Sequence, residues 1–289
     1  MATKKSATSA KKPVKKAAST TKKATVAKVT TVKSVAASAT ATNRFSFTRS
    51  PLLAASVAEF IGAFMLAGVV LATQGASIYV MFTLVALTLA IGMISGAHFN
   101  PALTIGAWAT KRIKSARALS YIVAQVLGAL LALIVLDAFV KAGGQSNGAQ
   151  QGLAIGQQTT ELFRASALPG GKEWLILAAE LIGALLFAFG FSAATREKNR
   201  IASAWVVGGS LFVALTISSF MTLAVTTAAA QSSGGTPLST ALNPAIAGAL
   251  QAISFASIWP VLVYAVAPIV GATLGFVLRD LLMTENEEV

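Results

Sequence analysis

The 289-residue sequence has no cysteine and only one histidine, His98. The absence of cysteine excludes disulfides and thiolate metal sites. A single histidine also excludes a multi-histidine metal site and leaves no evident base for a Ser–His catalytic pair. The sequence contains no glycine-rich nucleotide loop either. We therefore predict neither a metal site nor an enzyme.

Charged residues are scarce along the chain. They make up 11% of it, against 55% hydrophobic residues, and the mean hydropathy is +0.71. A soluble domain of average composition has about 25% charged residues. The composition therefore predicts a protein of the lipid bilayer.

Acidic residues are absent from residues 1–50, which carry ten Lys and two Arg. Few bulky apolar residues occur there, so we predict a disordered tail without the apolar run of a signal peptide. Three roles remain open: contact with anionic lipid at the cytoplasmic face, targeting, and nucleic-acid binding. Residues 283–289 form a short acidic C-terminal tail.

Six apolar segments are long enough to cross a hydrocarbon core about 30 Å thick. They lie at 51–73, 77–95, 116–140, 173–194, 201–225 and 257–281. Two further apolar segments, 101–110 and 244–252, are too short to cross and reach about half way at 1.5 Å per residue.

Basic residues in the short loops are distributed unequally. Seven lie on one side and three on the other: Lys111, Arg112, Lys114, Arg117, Arg196, Lys198 and Arg200 against Lys141, Arg164 and Lys172. Positive charge favours the cytoplasmic side. We predict a multi-pass protein of the cell membrane with both termini in the cytoplasm.

The tripeptide Asn-Pro-Ala occurs twice, as Asn100-Pro101-Ala102 and as Asn243-Pro244-Ala245, each time at the start of a short apolar segment. Asn suits the N-cap of a helix and Pro suits its first position. A soluble protein could use Asn-Pro simply to start a helix. That interpretation leaves the matched pair unexplained.

The two halves also begin alike, with Ala58-Glu59 in the first long span and Ala179-Glu180 in the fourth. Each half has three spans, so the second half enters the membrane from the opposite face, as in the inverted repeats of transport proteins. The sequence predicts an all-α membrane protein with six transmembrane helices and two re-entrant half-helices. Glu59 and Glu180 lie in apolar spans, and we expect them to accept hydrogen bonds from the re-entrant backbone; a direct part in transport is the alternative.

Two half-helices that start near the midplane imply a cavity between them, because irregular backbone at that depth needs protein or water around it. Their N-terminal ends and the amides of Asn100 and Asn243 would offer N–H donors to a passing molecule. The positive potential there opposes cations, and the pair of amide donors interrupts a continuous proton relay. The geometry predicts a passage for neutral solutes.

Residues 51–282 resemble the aquaporin and glycerol-facilitator family, the major intrinsic proteins. The resemblance is carried by both Asn-Pro-Ala motifs and both Ala-Glu pairs, and by the segments Ser95 to Ala102, Ala124 to Ala129, and Pro268 with Gly271. It implies a homotetramer with one pore per subunit, passive transport and no cofactor. His98 resembles a loop histidine of the family at the cytoplasmic mouth; a packed loop residue and a pH gate are the alternatives.

The chain departs from the family three residues after the second motif Asn, where Ile246 replaces the usual arginine. Spacing places Val80, Thr240 and Met221 at the other positions of this outer selectivity filter, which is therefore uncharged. We favour water as the permeant. The alternatives are small uncharged solutes such as glycerol, urea or gases, and, in another class, a non-conducting membrane scaffold or adhesion protein.

Overall fold

The structure, a computed structural model, describes residues 50–142, 162–165, 167–233 and 240–283, and within them every regular element is a helix. The helices are α1 Pro51–Ala72, α2 Ser77–Ser95, α3 Pro101–Ala109, α4 Ser115–Ala142, α5 Glu173–Ala194, α6 Arg200–Ser233, α7 Pro244–Ala249 and α8 Trp259–Leu282. The predicted tails, 1–50 and 283–289, lie outside the described residues apart from Ser50 and Met283.

Six of these helices are long and apolar enough to cross a membrane, namely α1, α2, α4, α5, α6 and α8. The other two, α3 and α7, have nine and six residues. Large apolar side chains such as Leu119, Phe139 and Phe220 are exposed, as expected for surfaces that face lipid. The predicted fold of six spans and two half-helices is confirmed, and the chain is an integral multi-pass membrane protein.

The packing of the helices repeats between the halves. Helix α1 packs against α4 as α5 packs against α8, and each half-helix packs against the third span of the other half, α3 on α8 and α7 on α4. A Cβ at Gly128 would collide with the carbonyl of Phe60, and one at Gly271 with the carbonyl of Leu181. These two glycines allow the equivalent helix pairs to approach closely.

Both half-helices end in the same way. The N–H groups of Lys111 and Arg112 bond back to Trp108 and Ala107, and those of Gln251 and Ala252 bond to Gly248 and Ala247. This is the Schellman pattern, and Lys111 and Gln251 take its left-handed position with φ of 60° and 57°. The pattern ends α7 at Ala249, three residues before the predicted end.

Helix α6, which is the fifth of the six predicted spans, is longer than predicted. It runs to Ser233 rather than to residue 225. The sequence after Val225 includes three consecutive alanines, 228–230, which favour the helix although they are less apolar than the span before them. Hydropathy marks the part that fits the bilayer and does not mark where the helix stops.

Candidate functional site

The half-helices begin at the two motif asparagines. Asn100 caps α3, its Oδ1 accepting a hydrogen bond from the backbone N–H of Ala102 at 2.8 Å. Asn243 caps α7 in the same way, accepting from Ala245 at 3.0 Å. Both caps have extended backbone, and a proline follows each one in the first helical position. Local sequence is sufficient to explain these helix starts.

The same two side chains connect the halves. Asn100 Nδ2 donates to the carbonyl oxygen of Leu242 at 2.8 Å, and Asn243 Nδ2 donates to that of Phe99 at 3.0 Å. A primary amide has two N–H groups, so each side chain keeps one for another acceptor. Both asparagines line a central cavity.

The residue before each asparagine has a left-handed backbone. Phe99 has φ of 48° and Leu242 has φ of 50°, a conformation that is strained for bulky side chains. It directs the N–H of each residue to a buried glutamate and its C=O to the asparagine of the other half. These bonds on both sides hold the strained turns in place.

Glu59 and Glu180 are 0% and 1% exposed and accept backbone hydrogen bonds in the two loops. Glu59 accepts from His98 at 3.0 Å and from Phe99 at 2.6 Å. Glu180 accepts from Ala241 at 2.7 Å and from Leu242 at 2.8 Å. These N–H groups lie in loops, outside the hydrogen-bond pattern of any helix. Each buried carboxylate therefore supplies the acceptors for two of them.

A polar network extends the first glutamate site. Gln125 Nε2 contacts Glu59 Oε2 at 2.7 Å and Thr104 Oγ1 at 2.9 Å, and Thr104 Oγ1 is 3.1 Å from His98 Nδ1. Sequence reasoning assigned no role to Gln125 or Thr104. Gln125 could have been noticed as a polar side chain within an apolar span.

His98 is buried beside this network, and its ring lies edge-on to Tyr121 and Phe191. Burial lowers the pKa of His98 below 6.5, Glu59 opposes this shift and Arg117 adds to it. The ring is therefore neutral at pH 7. His98 also lines the central cavity and, among the lining residues that the structure describes, is the only ionisable one.

The central cavity is narrow and largely apolar. The volume open to the centres of water molecules is about 20 Å³, whereas one water needs about 10–15 Å³ by this measure. The walls come from five helices, both re-entrant loops and the turn between α1 and α2: Leu66, Val70, Gly75, Val80, Leu84, His98, Asn100, Phe187, Leu211, Leu215, Thr240, Ala241, Asn243 and Ile246. Sequence reasoning missed the apolar members from α1, α5 and α6.

Three of the four filter residues named from the sequence line this cavity, Val80, Thr240 and Ile246. Met221 is half-buried and is not among the lining residues. The neighbouring Thr222 is buried, and its hydroxyl lies 3.4 Å from that of Thr240. One residue along a helix rotates a side chain by about 100°, so a shift of one position exchanges these two directions.

A second, wider cavity, which we call the Arg200 vestibule, has a volume of about 410 Å³ by the same measure. Its walls are Thr88, Gly92, Met93, Gly96, Ala97, Phe191, Ala194, Thr195, Glu197, Arg200, Ser203 and Val207. Phe191 borders it, and the ring of His98, which borders the central cavity, lies 5.4 Å from that of Phe191. The contact between these two rings therefore joins a lining residue of one cavity to a lining residue of the other.

Chemically, the described lining of the central cavity offers two side-chain amides, one hydroxyl, one imidazole and apolar surface. Across the described part of the chain, no three His, Asp or Glu side chains are grouped to hold a metal ion. Such a wall can hydrogen-bond a neutral molecule that carries lone pairs.

Comparison with known proteins gives the class. A family model described as major intrinsic protein matches residues 26–279. The chain therefore belongs to the major intrinsic protein family and is a membrane channel of that family.

The similar proteins include both aquaporins and a protein named as a glycerol facilitator. The chain is 30% identical over 227 residues to Glycerol uptake facilitator protein-like 6 of Lactiplantibacillus plantarum, covering 76% of this chain and 93% of the relative. It is 29% identical over 213 residues to Aquaporin AqpM of Methanothermobacter marburgensis, covering 71% and 74%. A match to Aquaporin Z of Photorhabdus laumondii is 45% identical but spans only 71 residues, 25% of this chain and 30% of that protein.

Among solved structures, the aquaglyceroporin from Plasmodium falciparum aligns with a TM-score of 0.56 at 18% identity, covering 79% of this chain and 96% of that one. At this identity the likeness concerns the fold alone. The aquaporin fold agrees with the six spans and two half-helices described above.

Proposed function

We propose that the protein is a passive water channel whose pore is the central cavity. The supporting observation is that both motif asparagines line this one narrow cavity. Each uses one amide N–H in the bond between the halves and keeps the other for a passing molecule. Room for about one or two waters suits passage in single file.

In this proposal, a water at the asparagines accepts hydrogen bonds from Asn100 and Asn243 and directs its own hydrogens away from them. A water held in this way cannot accept a proton from a neighbour, so proton relay is interrupted. The capped N-terminal ends of α3 and α7 add positive potential against cations. Glu59 and Glu180 hold the loops that carry both asparagines.

The second candidate function is conduction of small uncharged solutes such as glycerol, urea or gases. The uncharged wall of Val80, Thr240 and Ile246 favours it, because no cation there narrows the opening or demands a hydrogen-bonding partner. The name of the Lactiplantibacillus relative points the same way for that protein.

The test is osmotic shrinkage of proteoliposomes that contain the full chain, compared with uptake of glycerol and urea. Ile246→Arg is the diagnostic variant and Ile246→Leu its uncharged control. We expect fast water efflux in the parent, and a lower ratio of solute to water permeability for Ile246→Arg alone. Shrinkage no faster than in empty liposomes would refute a channel for water and favour a scaffold. An unchanged ratio would refute an outer filter at Ile246.

We further propose a homotetramer with both termini in the cytoplasm, and contact of the basic residues 1–50 with anionic lipid. Molecular mass in detergent measures the assembly. Sedimentation with anionic and neutral vesicles, with and without residues 1–50, tests the tail, and a DNA gel shift tests the competing nucleic-acid role. The lipid contact is supported if the full chain sediments more with anionic than with neutral vesicles and deletion of residues 1–50 removes this difference.

A further inference from the structure

Residues 162–165, which we call the strap, contact the ends of two helices from different halves. The backbone N–H of Ala165 donates to the carbonyl oxygen of Leu250, at the end of α7, at 3.0 Å. The N–H of Phe163 makes a longer bond, 3.5 Å, to the carbonyl oxygen of Leu71 in the last turn of α1. Carbonyl groups at the end of a helix have no N–H partner within that helix. The strap supplies one to each helix and so ties α1 to α7.

The same two helices supply walls of the central cavity. Val70 lies on α1 and Ile246 on α7, and Gly75 lies in the turn that follows α1. The separation of α1 and its turn from α7 therefore contributes to the width of this cavity. The strap connects the elements that define this separation.

The ring of Phe163 stands behind one part of the wall. Phe163 is 8% exposed and belongs to the hydrophobic core. A Cβ at Gly75 would lie 3.6 Å from Cε1 of Phe163. Gly75 has φ of 70° and no side chain of its own, so the ring fills the space behind this turn. Phe163 is not among the described lining residues of the cavity.

We propose that Phe163 is a positioning residue that sets the width of the central cavity between the Gly75 turn and α7. It acts through Gly75 and, by way of the strap, through the end of α7. When a buried ring is removed, the surrounding atoms relax partly into the vacated space. That movement takes the Gly75 turn away from the cavity, so a smaller residue at position 163 widens the passage. The effect on solute selectivity rests on the channel function proposed above, whereas the width itself does not.

The first measurement is the ratio of glycerol to water permeability in proteoliposomes of the full chain. We expect Phe163→Ala to raise this ratio about three- to tenfold, at or below the lower end of what one methylene group inside a pocket changes, because Phe163 acts through its neighbours. Phe163→Leu keeps more of the side-chain volume and should raise the ratio less.

Phe276→Ala is the matched control. It removes an equal ring from a core position that is 1% exposed and adjoins Gly106 rather than the central cavity. It should lower stability by a similar amount and leave the permeability ratio at the parental value. A ratio that rises equally in Phe276→Ala, or that rises in neither Phe163 variant, would overturn the role in selectivity.

A change of the strap backbone tests the same tie with the ring in place. Ala165→Pro removes the N–H that bonds to Leu250. We expect it to raise the permeability ratio in the same direction as Phe163→Ala. Ala167→Pro, at an exposed position two residues further on, should leave the ratio at the parental value. An equal change in the two proline variants would count against the strap.

The absence of cysteine from the chain allows the width to be measured without conduction. In Ile246→Cys, a single thiol lines the cavity. The measurement is the ratio of its reaction rates with benzyl and with methyl methanethiosulfonate, two neutral reagents of different size, on the full chain in detergent. The ratio should rise in the order of parent, Phe163→Leu and Phe163→Ala, and Phe276→Ala should match the parent.

The two measurements separate this inference from the proposed function. A protein that fails the osmotic test can still show the expected order of thiol rates, and a water channel can lack it. Equal rate ratios in the parent and in both Phe163 variants would overturn the inference, whatever the osmotic assay shows.

Discussion

Asn100 donates a hydrogen bond from Nδ2 to the carbonyl oxygen of Leu242, 2.8 Å away and 142 residues distant in sequence. Asn243 donates the equivalent bond to Phe99. Each asparagine therefore caps its own half-helix and also holds the loop of the other half. A change at either position affects both the wall of the cavity and the joint between the repeats.

Replacing Asn243 by Asp should lower the free energy of unfolding by about 1–3 kcal/mol, because the buried carbonyl of Phe99 loses its donor and faces an acceptor. Thermal unfolding followed by tryptophan fluorescence measures this, and the osmotic assay should show lower water permeability. Asn199→Asp is the matched control, since Asn199 caps α6 through Oδ1 and Asp caps equally well. Equal losses in both variants would contradict a joint between the halves.

Replacing Glu180 by Gln should destabilise the second loop. One carboxylate oxygen becomes an amide N–H₂ that faces the N–H of Ala241 or of Leu242, so a buried donor loses its acceptor. We expect a loss of about 1–3 kcal/mol in unfolding free energy and reduced water permeability. Glu173→Gln, near the start of the same helix, should change both much less. A Glu180→Gln protein with parental stability and permeability would show that the carboxylate is dispensable.

Replacing Gly128 by Ala should force α1 and α4 apart, because the new methyl group meets the backbone carbonyl of Phe60, which cannot move aside alone. We expect a loss of about 1–3 kcal/mol in unfolding free energy. Gly68→Ala is the control on α1, where a Cβ has nothing within 4 Å. It should be neutral or stabilise by up to about 1 kcal/mol. The prediction fails if the two variants unfold at the same temperature.

The lowered pKa of His98 predicts the sign of a pH effect on stability. Because the folded protein keeps the ring neutral, the unfolded chain binds more protons below pH 6.5, and stability falls as pH falls through that region. Above pH 6.5, the contribution of His98 to the free energy of unfolding no longer changes with pH. Thermal midpoints between pH 5.5 and 8 measure the slope, which should be smaller in His98→Gln.

The same shift bears on gating. A ring that stays neutral at and above pH 7 cannot change its charge between pH 7 and 8, so water permeability should be level across that interval. A clear step in permeability between these values in the parent, lost in His98→Gln, would show that His98 acts as a gate near neutral pH.

Much of the fold could be predicted because a helix that crosses the membrane requires a long run of apolar residues. The six spans and both half-helix starts are local features, set by hydropathy and by Asn-Pro at a helix start. Helix ends were less predictable: α7 stops at a Schellman turn and α6 continues past its apolar part. Turn geometry and helix propensity decide those ends, and hydropathy does not report them.

The site divides in the same way. Val80, Thr240 and Ile246 were assigned to one wall by spacing, and all three line the central cavity. Spacing placed the fourth filter position at Met221, yet it is the next residue, Thr222, that lies beside Thr240. The rotation of α6 depends on its packing against α2 and α5, which a count of residues does not contain.

The sequence by itself determined which segments cross the bilayer, where the half-helices begin and that position 246 holds an uncharged residue, since each follows from neighbouring residues. Only the tertiary structure decided that Asn100 meets Leu242, that Gln125 joins Glu59, and that Arg200 faces a vestibule. These contacts join residues that lie far apart in the chain. Their geometry depends on how the two halves pack together, and no local preference encodes it.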